Sequence, residues 1–213
     1  MKIGILGSGM VAQALGAKLA ESGHEVMLGT RTPLKLQEWA ALHPGAKIGS
    51  FKDCAAHGEL LFNATSGTGS LAALGSCDES DLNGKILIDI SNPLDFSRGM
   101  PPTLFVSNDD SLGEQIQRAF PHLKVVKTFN TLNANLMVDP HSLADGDHTL
   151  FLSGNDPEAK VRVSELLTEW FGWQDIIDLG DITTSRGTEA YLLLWVRLFM
   201  KFGTPYFQIK IVR

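Results

Sequence analysis

The feature that most constrains this chain is a glycine-rich turn between a short apolar segment and a helical pattern. Lys2 to Leu6 (KIGIL) is a run typical of a buried parallel strand. Residues 7–12 (GSGMVA) follow the pattern G-x-G-x-x-A, and apolar residues then recur at helical spacing up to Ser22. Between a strand and a helix, this pattern predicts a dinucleotide-binding βαβ unit.

The chemistry of this turn is expected to come from its backbone. Gly7 would permit the tight turn, Gly9 would let a pyrophosphate approach the main chain, and Ala12 would let the helix pack closely on the strand. The free N–H groups of the first helical turn would then face the phosphates. The alternative is a glycine-rich turn without a ligand. The predicted phosphate-binding residues are Gly7, Ser8, Gly9, Met10 and Val11.

The end of the second predicted strand (residues 24–28) indicates which dinucleotide is bound. NAD-binding folds place an Asp or Glu there, about twenty residues past the glycines, to hold the ribose 2′-hydroxyl. This chain instead has Gly29, Thr30 and Arg31. Arg31 can contact a 2′-phosphate in bidentate fashion, Thr30 can donate a hydrogen bond, and Lys35 can add a second positive charge. We therefore expect NADP(H), the alternative being a solvated basic loop.

Strands alternate with helices along the rest of the chain. Further strands are predicted at 46–48, 59–64, 85–90, 124–128, 148–152 and 175–179. Helices are predicted at 34–42, 52–56, 111–120, 157–171 and 181–202. Residues 65–69 are expected to form a polar turn, and Ser111 with Glu114 a capping box. The alternation predicts an α/β protein: a Rossmann, doubly wound parallel sheet over residues 1–145, followed by a small C-terminal α/β lobe over residues 146–213.

Composition argues against several functional classes. A formal net charge of -6 without a long basic run argues against wholesale nucleic-acid binding and still allows a local anion site. The two cysteines, Cys54 and Cys77, suggest free thiols in a reducing compartment rather than a disulfide framework. The opening residues do not resemble a signal peptide, and the apolar stretch Ala190 to Phe199 is too short to span a bilayer. We expect a cytoplasmic protein without a bound metal or a membrane partner.

Several segments of the chain resemble one known family. They are LGSGMVAQALGAKLAESGHEV, LGTRTPLK, VVKTFNTLNANLM and LSGNDPEAK, with a last helix that leads to FQIKIV. Through them, nearly the whole chain resembles the NADPH-dependent reductases of the deazaflavin coenzyme F420 type. That family includes archaeal F420:NADP oxidoreductases, bacterial relatives and the cytosolic domain of animal six-transmembrane metalloreductases. The second and third segments are the more specific, because a generic Rossmann protein need not carry them.

The resemblance implies that NADPH lies at the strand ends, with its nicotinamide facing a pocket lined by the turns after the fourth, fifth and sixth strands. The residues that it places there are Ala64, Thr65, Ser66, Asn92, Pro93, Asn130 and Thr131. Asn130 is the candidate for orienting the acceptor or the nicotinamide amide, and its alternative role is to stabilise a turn. The archaeal reductases have a His at this place and the metalloreductase domains an Asn, which leaves the acceptor open between F420 and a flavin such as FAD or FMN.

The predicted function is an NADPH-dependent oxidoreductase that transfers a hydride between NADP(H) and a flavin or deazaflavin. Such transfer requires the two reacting atoms to be held about 3–3.5 Å apart without water, and it needs little side-chain chemistry. Two alternatives stay open: a reductase of another small acceptor (a ferric chelate, a quinone or an imine), and an NADP(H)-binding redox sensor without turnover. Residues 191–202 are too apolar for an exposed helix, so we expect them to pack on the core or on a second subunit of a homodimer, closing the acceptor pocket.

Overall fold

The protein is built on one eight-stranded sheet, described over residues 1–213 by a computed structural model. The strands are β1 Lys2–Leu6, β2 Glu25–Gly29, β3 Lys47–Gly49, β4 Leu60–Asn63, β5 Ile86–Asp89, β6 Leu94–Asp95, β7 Thr103–Leu104, β8 Lys124–Thr128, β9 Thr149–Gly154 and β10 Asp175–Asp178. Their order across the sheet is β10-β9-β8-β5-β4-β1-β2-β3. The two remaining strands, β6 and β7, form a separate antiparallel hairpin.

Helices connect the strands and are joined by a few short 3-10 turns. They are α1 Met10–Glu21, α2 Gln37–Leu42, α3 Phe51–His57, α4 Gly67–Gly75, α5 Glu79–Leu82, α6 Leu112–Ala119, α7 Ala134–Val138, α8 Pro157–Phe171, α9 Ser185–Ala190 and α10 Leu192–Phe202. No helix has both the length and the apolar character needed to cross a membrane.

Alternate residues of the strands face two hydrophobic clusters on opposite sides of the sheet. In β4, Leu60 and Phe62 belong to the larger cluster and Leu61 to the smaller one. Helices α1 and α8 contribute to the larger cluster, whereas α3, α4 and α6 contribute to the smaller one. Strands buried on both faces are typical of a doubly wound sheet, which confirms the predicted fold class.

The sheet reverses direction at one place. Six neighbouring strand pairs are parallel, but β9 runs antiparallel to β8, with Val126 opposite Gly154. The predicted boundary near residue 145 falls just before this reversal. Side chains from both sides of it share the larger cluster, where the rings of Phe129 and Phe171 lie 5.7 Å apart. The division into a domain and a lobe stays a prediction.

Two local predictions were wrong because tertiary contacts compete with local patterns. Residues 65–69 are not only a turn, since α4 begins at Gly67, which is pressed against the next turn so closely that a Cβ would lie 2.0 Å from the Asn92 oxygen. The Ser111 hydroxyl accepts from the Glu114 N–H as predicted. The Glu114 carboxylate, however, accepts from the Ser111 hydroxyl and from Arg186 on α9, so the capping box is incomplete.

The predicted last helix is also divided. A 3-10 turn over Ile182–Thr184 precedes α9 and α10, and the Ser185 hydroxyl donates to the Ile182 oxygen at 2.6 Å, a local bond that competes with helix geometry. Only Leu192 and Val196 of α10 are buried. The large apolar side chains that α10 leaves exposed are Leu193, Leu194, Met200 and Phe202. Neither Leu192 nor Val196 belongs to either hydrophobic cluster, so packing of α10 on the core or on a second subunit stays a prediction.

Candidate functional site

The turn after β1 has a backbone that only glycine supports at its first position. Gly7 has a φ of +141°, and a Cβ there would lie 2.5 Å from the Ala64 oxygen. The next turn of the fold, which begins at Ala64 after β4, therefore touches the glycine-rich turn directly. Ala12 is fully buried between α1 and the sheet, so the small residue expected from the motif is where close helix packing requires it.

The first turn of α1 presents unpaired donors to an open space. A Cβ on Gly9 would meet no atom within 4 Å, and no side chain caps the helix at this residue. The first intrahelical hydrogen bond runs from Gln13 N to Gly9 O, so the N–H groups of Met10, Val11 and Ala12 have no partner. Free N–H groups at the positive end of a helix dipole form an anion-binding site.

The end of β2 carries the basic residues predicted to hold a 2′-phosphate. Arg31 and Lys35 are exposed, and neither side chain has a hydrogen-bond or ion-pair partner within the chain. Thr30 is buried, and its Oγ1 accepts from the Thr32 N–H at 3.1 Å. The hydroxyl hydrogen of Thr30 therefore remains available to donate to a ligand. All three positions suit a phosphate, and their contact with it stays a prediction.

A cleft of about 260 Å³ opens beside the glycine-rich turn, at the carboxyl ends of β4 and β5. Its lining residues are Val11, Ala64, Thr65, Ser66, Gly67, Thr68, Ile90, Ser91, Asn92, Leu94 and Phe96. Five of the residues predicted to bind the cofactor are among them, namely Val11, Ala64, Thr65, Ser66 and Asn92. The structure thus brings the predicted phosphate turn and the predicted nicotinamide turns together in one depression, as expected for a ligand outside the carboxyl ends of parallel strands.

Asn130 lies behind the cleft rather than on its surface. It is 3% exposed, and its Nδ2 donates to Asn92 Oδ1 at 3.0 Å. In return, Asn92 Nδ2 donates to the backbone carbonyl oxygen of Asn130 at 2.8 Å. This reciprocal pair fixes the orientation of Asn92, which does line the cleft. Thr131 and Pro93 are buried nearby. A direct contact of Asn130, Thr131 or Pro93 with a cofactor stays a prediction.

The cleft has an apolar rim that local sequence patterns did not predict. Leu94 and Phe96 belong to the hairpin of β6 and β7, and Phe96 is 56% exposed although it is aromatic. Strands of two residues show no alternation of polar and apolar positions, so periodicity could not reveal them.

A second omission is a group of charged residues beneath the cleft. Lys127, Asp89 and Glu189 are almost completely buried, with the Lys127 Nζ within 2.9 Å of both carboxylates. Burial by itself would lower the pKa of Lys127, but the two carboxylates outweigh it and hold the pKa above its usual range. One signal was visible in the sequence, because a lysine within the apolar strand KVVKT is unusual unless it is paired.

The thiols take no part in this site. Burial raises the pKa of Cys54 to about 12 and that of Cys77 to about 11, so both stay protonated at neutral pH. A protonated thiol is neither a strong nucleophile nor a metal ligand. Cys54, which is a residue of α3, instead packs in the smaller cluster.

Comparison with known proteins adds to this geometry. The sequence profile described as "NADP oxidoreductase coenzyme F420-dependent" matches residues 2–93. A crystal structure of a candidate F420-dependent NADP reductase from Arthrobacter sp. FB24 is 53% identical, with a TM-score of 0.96 over 100% of both chains. Metalloreductase STEAP3 of Rattus norvegicus is 32% identical over 191 residues, which are 89% of this chain and 36% of the relative. The chain therefore spans about a third of that relative's length.

More distant structures share the architecture. A reductive aminase from Aspergillus terreus, solved in complex with NADPH and ethyl levulinate, has a TM-score of 0.68. It is 17% identical, with coverage of 94% of this chain and 63% of its own. Identity this low shows a common fold and carries no further argument about the reaction.

Proposed function

Since this chain belongs to the family of NADP-dependent oxidoreductases described as coenzyme F420-dependent, we propose that it transfers a hydride between NADP(H) and a flavin or deazaflavin acceptor. The NADP-dependent oxidoreductase class follows from the family, and the acceptor is the proposed part. The observation that carries the proposal is the apolar rim of Leu94 and Phe96 beside the cleft.

The residues present fit NADP(H). Gly9 leaves room for the pyrophosphate, the unpaired N–H groups of Met10 and Val11 face that room, and Arg31 has no competing carboxylate. When bound, NADPH supplies the hydride. The turns that begin at Ala64 and Ser91 would enclose its nicotinamide half. The hydrogen bonds of Thr65 to Asn63 and of Asn92 to Asn130 hold these turns in place, which supports holding one ring against another.

The rim supports a planar acceptor. An exposed phenylalanine at the mouth of a binding cleft is a surface on which an aromatic ring gains contact area and loses water. A flavin or deazaflavin ring stacked between the nicotinamide and Phe96 would cover that side chain. It would also exclude water from the cleft, which hydride transfer requires.

The lining of the cleft supports an acceptor that needs no acid from the protein. Every lining side chain is neutral and without a titratable group. An imine or a 2-oxo compound needs a proton at the reacting atom as the hydride arrives, and the lining side chains offer no strong acid for it. A flavin or deazaflavin ring can exchange its proton with solvent at its edge.

We expect NADPH to be oxidised, measured at 340 nm, with F420, FAD or FMN as acceptor. Phe96→Ser should raise the KM for the acceptor about tenfold, since burying a phenylalanine contributes about 1.5–3 kcal/mol, and it should leave the Kd for NADPH unchanged. Val161→Ser is the control, because Val161 is an apolar residue that is 61% exposed on α8, outside the cleft lining.

Other results would contradict the proposal. Turnover with cyclic imines, quinones or ferric chelates alone would identify a different acceptor. Tight NADPH binding without oxidation by any of these compounds would favour a redox sensor. Equal effects of Phe96→Ser and Val161→Ser on the KM for the acceptor would show that the rim is not part of the acceptor site.

A further inference from the structure

Three buried polar residues lie side by side at the carboxyl ends of three neighbouring strands. Asn63 of β4 is in register with Asp89 of β5, and Asp89 is in register with Lys127 of β8. None of the three is more than 1% exposed. Charged residues are almost never buried this deeply unless they are paired. The row lies at the strand ends from which residues 64–68, with the start of α4, and residues 90–92 continue into the cleft.

The row forms one continuous chain of hydrogen bonds. Lys127 Nζ donates to Asp89 Oδ2 at 2.9 Å. Asp89 Oδ1 accepts from Asn63 Nδ2 at 2.8 Å, and Asn63 Oδ1 accepts from Thr65 Oγ1 at 2.7 Å. The chain therefore runs from a buried ammonium group to a hydroxyl that lines the cleft.

The charged end of this chain determines the direction of every bond in it. An ammonium only donates and a carboxylate only accepts. Because Asp89 has no hydrogen to offer, the Asn63 amide must turn its nitrogen toward Asp89 and its oxygen toward Thr65. The hydroxyl hydrogen of Thr65 is then committed to Asn63. Of the two acceptor sites left on Thr65 Oγ1, Ser70 Oγ at 2.8 Å can fill one, and the other is free.

We propose that Lys127 is a positioning residue that acts through Asp89 and Asn63 to make the Thr65 hydroxyl an acceptor for a hydrogen-bond donor on the nicotinamide half of NADP(H). That half carries suitable donors in its carboxamide N–H groups and its ribose hydroxyls. The inference rests on NADP(H) binding by the family and is independent of which acceptor takes the hydride.

A contribution to the stability of the fold is a weak explanation for the buried ion pairs of Lys127. Desolvation offsets most of the attraction in a buried ion pair, and well-packed apolar residues are often as stable in its place. Each carboxylate nonetheless accepts hydrogen bonds at both of its oxygens. Asp89 accepts from Lys127 and Asn63. Glu189 accepts from the N–H groups of Leu112 and Gly113 at 2.8 and 2.9 Å and pairs with Lys127. What such a network supplies, and an apolar core does not, is a fixed direction for its polar groups.

The test compares two ligands by titration: NADPH, and adenosine 2′,5′-bisphosphate, which keeps the 2′-phosphate and the adenosine-side phosphate of the pyrophosphate and lacks the nicotinamide half. Lys127→Met should bind the bisphosphate as the unmodified chain does and bind NADPH about tenfold more weakly, the effect of losing one hydrogen bond. Thr65→Val should show the same selective loss of affinity for NADPH. Thr65→Ser keeps a hydroxyl and should bind NADPH as the unmodified chain does. Lys124→Met is the matched control on the same strand, since Lys124 pairs with Asp156 at the opposite end of β8.

Three results would overturn the inference. The first is an equal loss of affinity for both ligands in folded Lys127→Met. The second is unchanged affinity for NADPH in folded Thr65→Val. The third is an affinity of Thr65→Ser for NADPH as low as that of Thr65→Val. Folding is checked by circular dichroism and a thermal melt. If Lys127→Met does not fold, the Thr65 pair decides the outcome. These titrations contain no hydride acceptor, so their result does not depend on whether the proposed reaction takes place.

Discussion

Gly9→Ala should fold like the unmodified chain and lose most of its affinity for NADPH. A Cβ at this position meets no protein atom within 4 Å and needs no left-handed backbone, so the melting temperature should hardly change. The same methyl group would occupy the space through which the pyrophosphate approaches the N–H groups of Met10 and Val11. Losing two charge-assisted hydrogen bonds, at about 1.5–3 kcal/mol each, corresponds to at least about a hundredfold weaker binding.

The control for this change is Gly75→Ala at the end of α4, where an added Cβ likewise meets nothing within 4 Å. It should leave both the melting temperature and the Kd for NADPH unchanged. Fluorescence titration with NADPH and a thermal melt are sufficient measurements. A folded Gly9→Ala that binds NADPH normally would show that the phosphates do not lie at the first turn of α1.

Arg31→Ala should weaken NADPH binding by about ten- to a hundredfold, because one charge-assisted contact to a phosphate contributes about 1.5–3 kcal/mol. NADH lacks the 2′-phosphate, so its affinity should stay the same and the preference between the two cofactors should shrink by that factor. Arg31 is exposed and has no partner in the chain, so stability should not change. Parallel titrations with NADPH and NADH measure both quantities.

Arg162→Ala is the matched control for the loss of one positive charge. Arg162 is exposed on α8, where it pairs with Glu165 at 3.4 Å, and it is outside the cleft lining. Its removal should leave both affinities as they are. An equal loss of NADPH and NADH binding in Arg31→Ala, or no loss at all, would contradict the assignment of the 2′-phosphate to this turn.

Local patterns were sufficient for most of the strands and for the longest helix. The prediction for Lys124–Thr128 matches β8 and that for Pro157–Phe171 matches α8, where Asp156 caps the helix through the Ala159 N–H at 2.8 Å. Both segments have strong periodicity and clear end signals, so neighbouring elements did not alter them. The start of α4 at Gly67 was missed because it depends on the adjoining turn at Asn92 rather than on local residues.

The candidate site likewise has features that local patterns predicted and features that they did not. The glycine-rich turn and the basic turn at Arg31 could be predicted from the sequence. Each is a short continuous segment whose chemistry depends on backbone freedom or on charge at a fixed spacing. The rim at Phe96 and the row from Lys127 to Asn63 could not be predicted from any one continuous segment. They form only when segments far apart in the chain meet.

The sequence by itself determined the βαβ unit, the preference for NADP(H) that we predict, and the reductase family, because all three depend on contiguous residues. Only the tertiary structure decided that β9 reverses the sheet and that Asn130 is buried with its side-chain amide bonded to Asn92. It also decided that Lys127, Asp89 and Asn63 stand in one register. The physical reason is that register and burial arise from strand pairing across the whole sheet, which no local segment specifies.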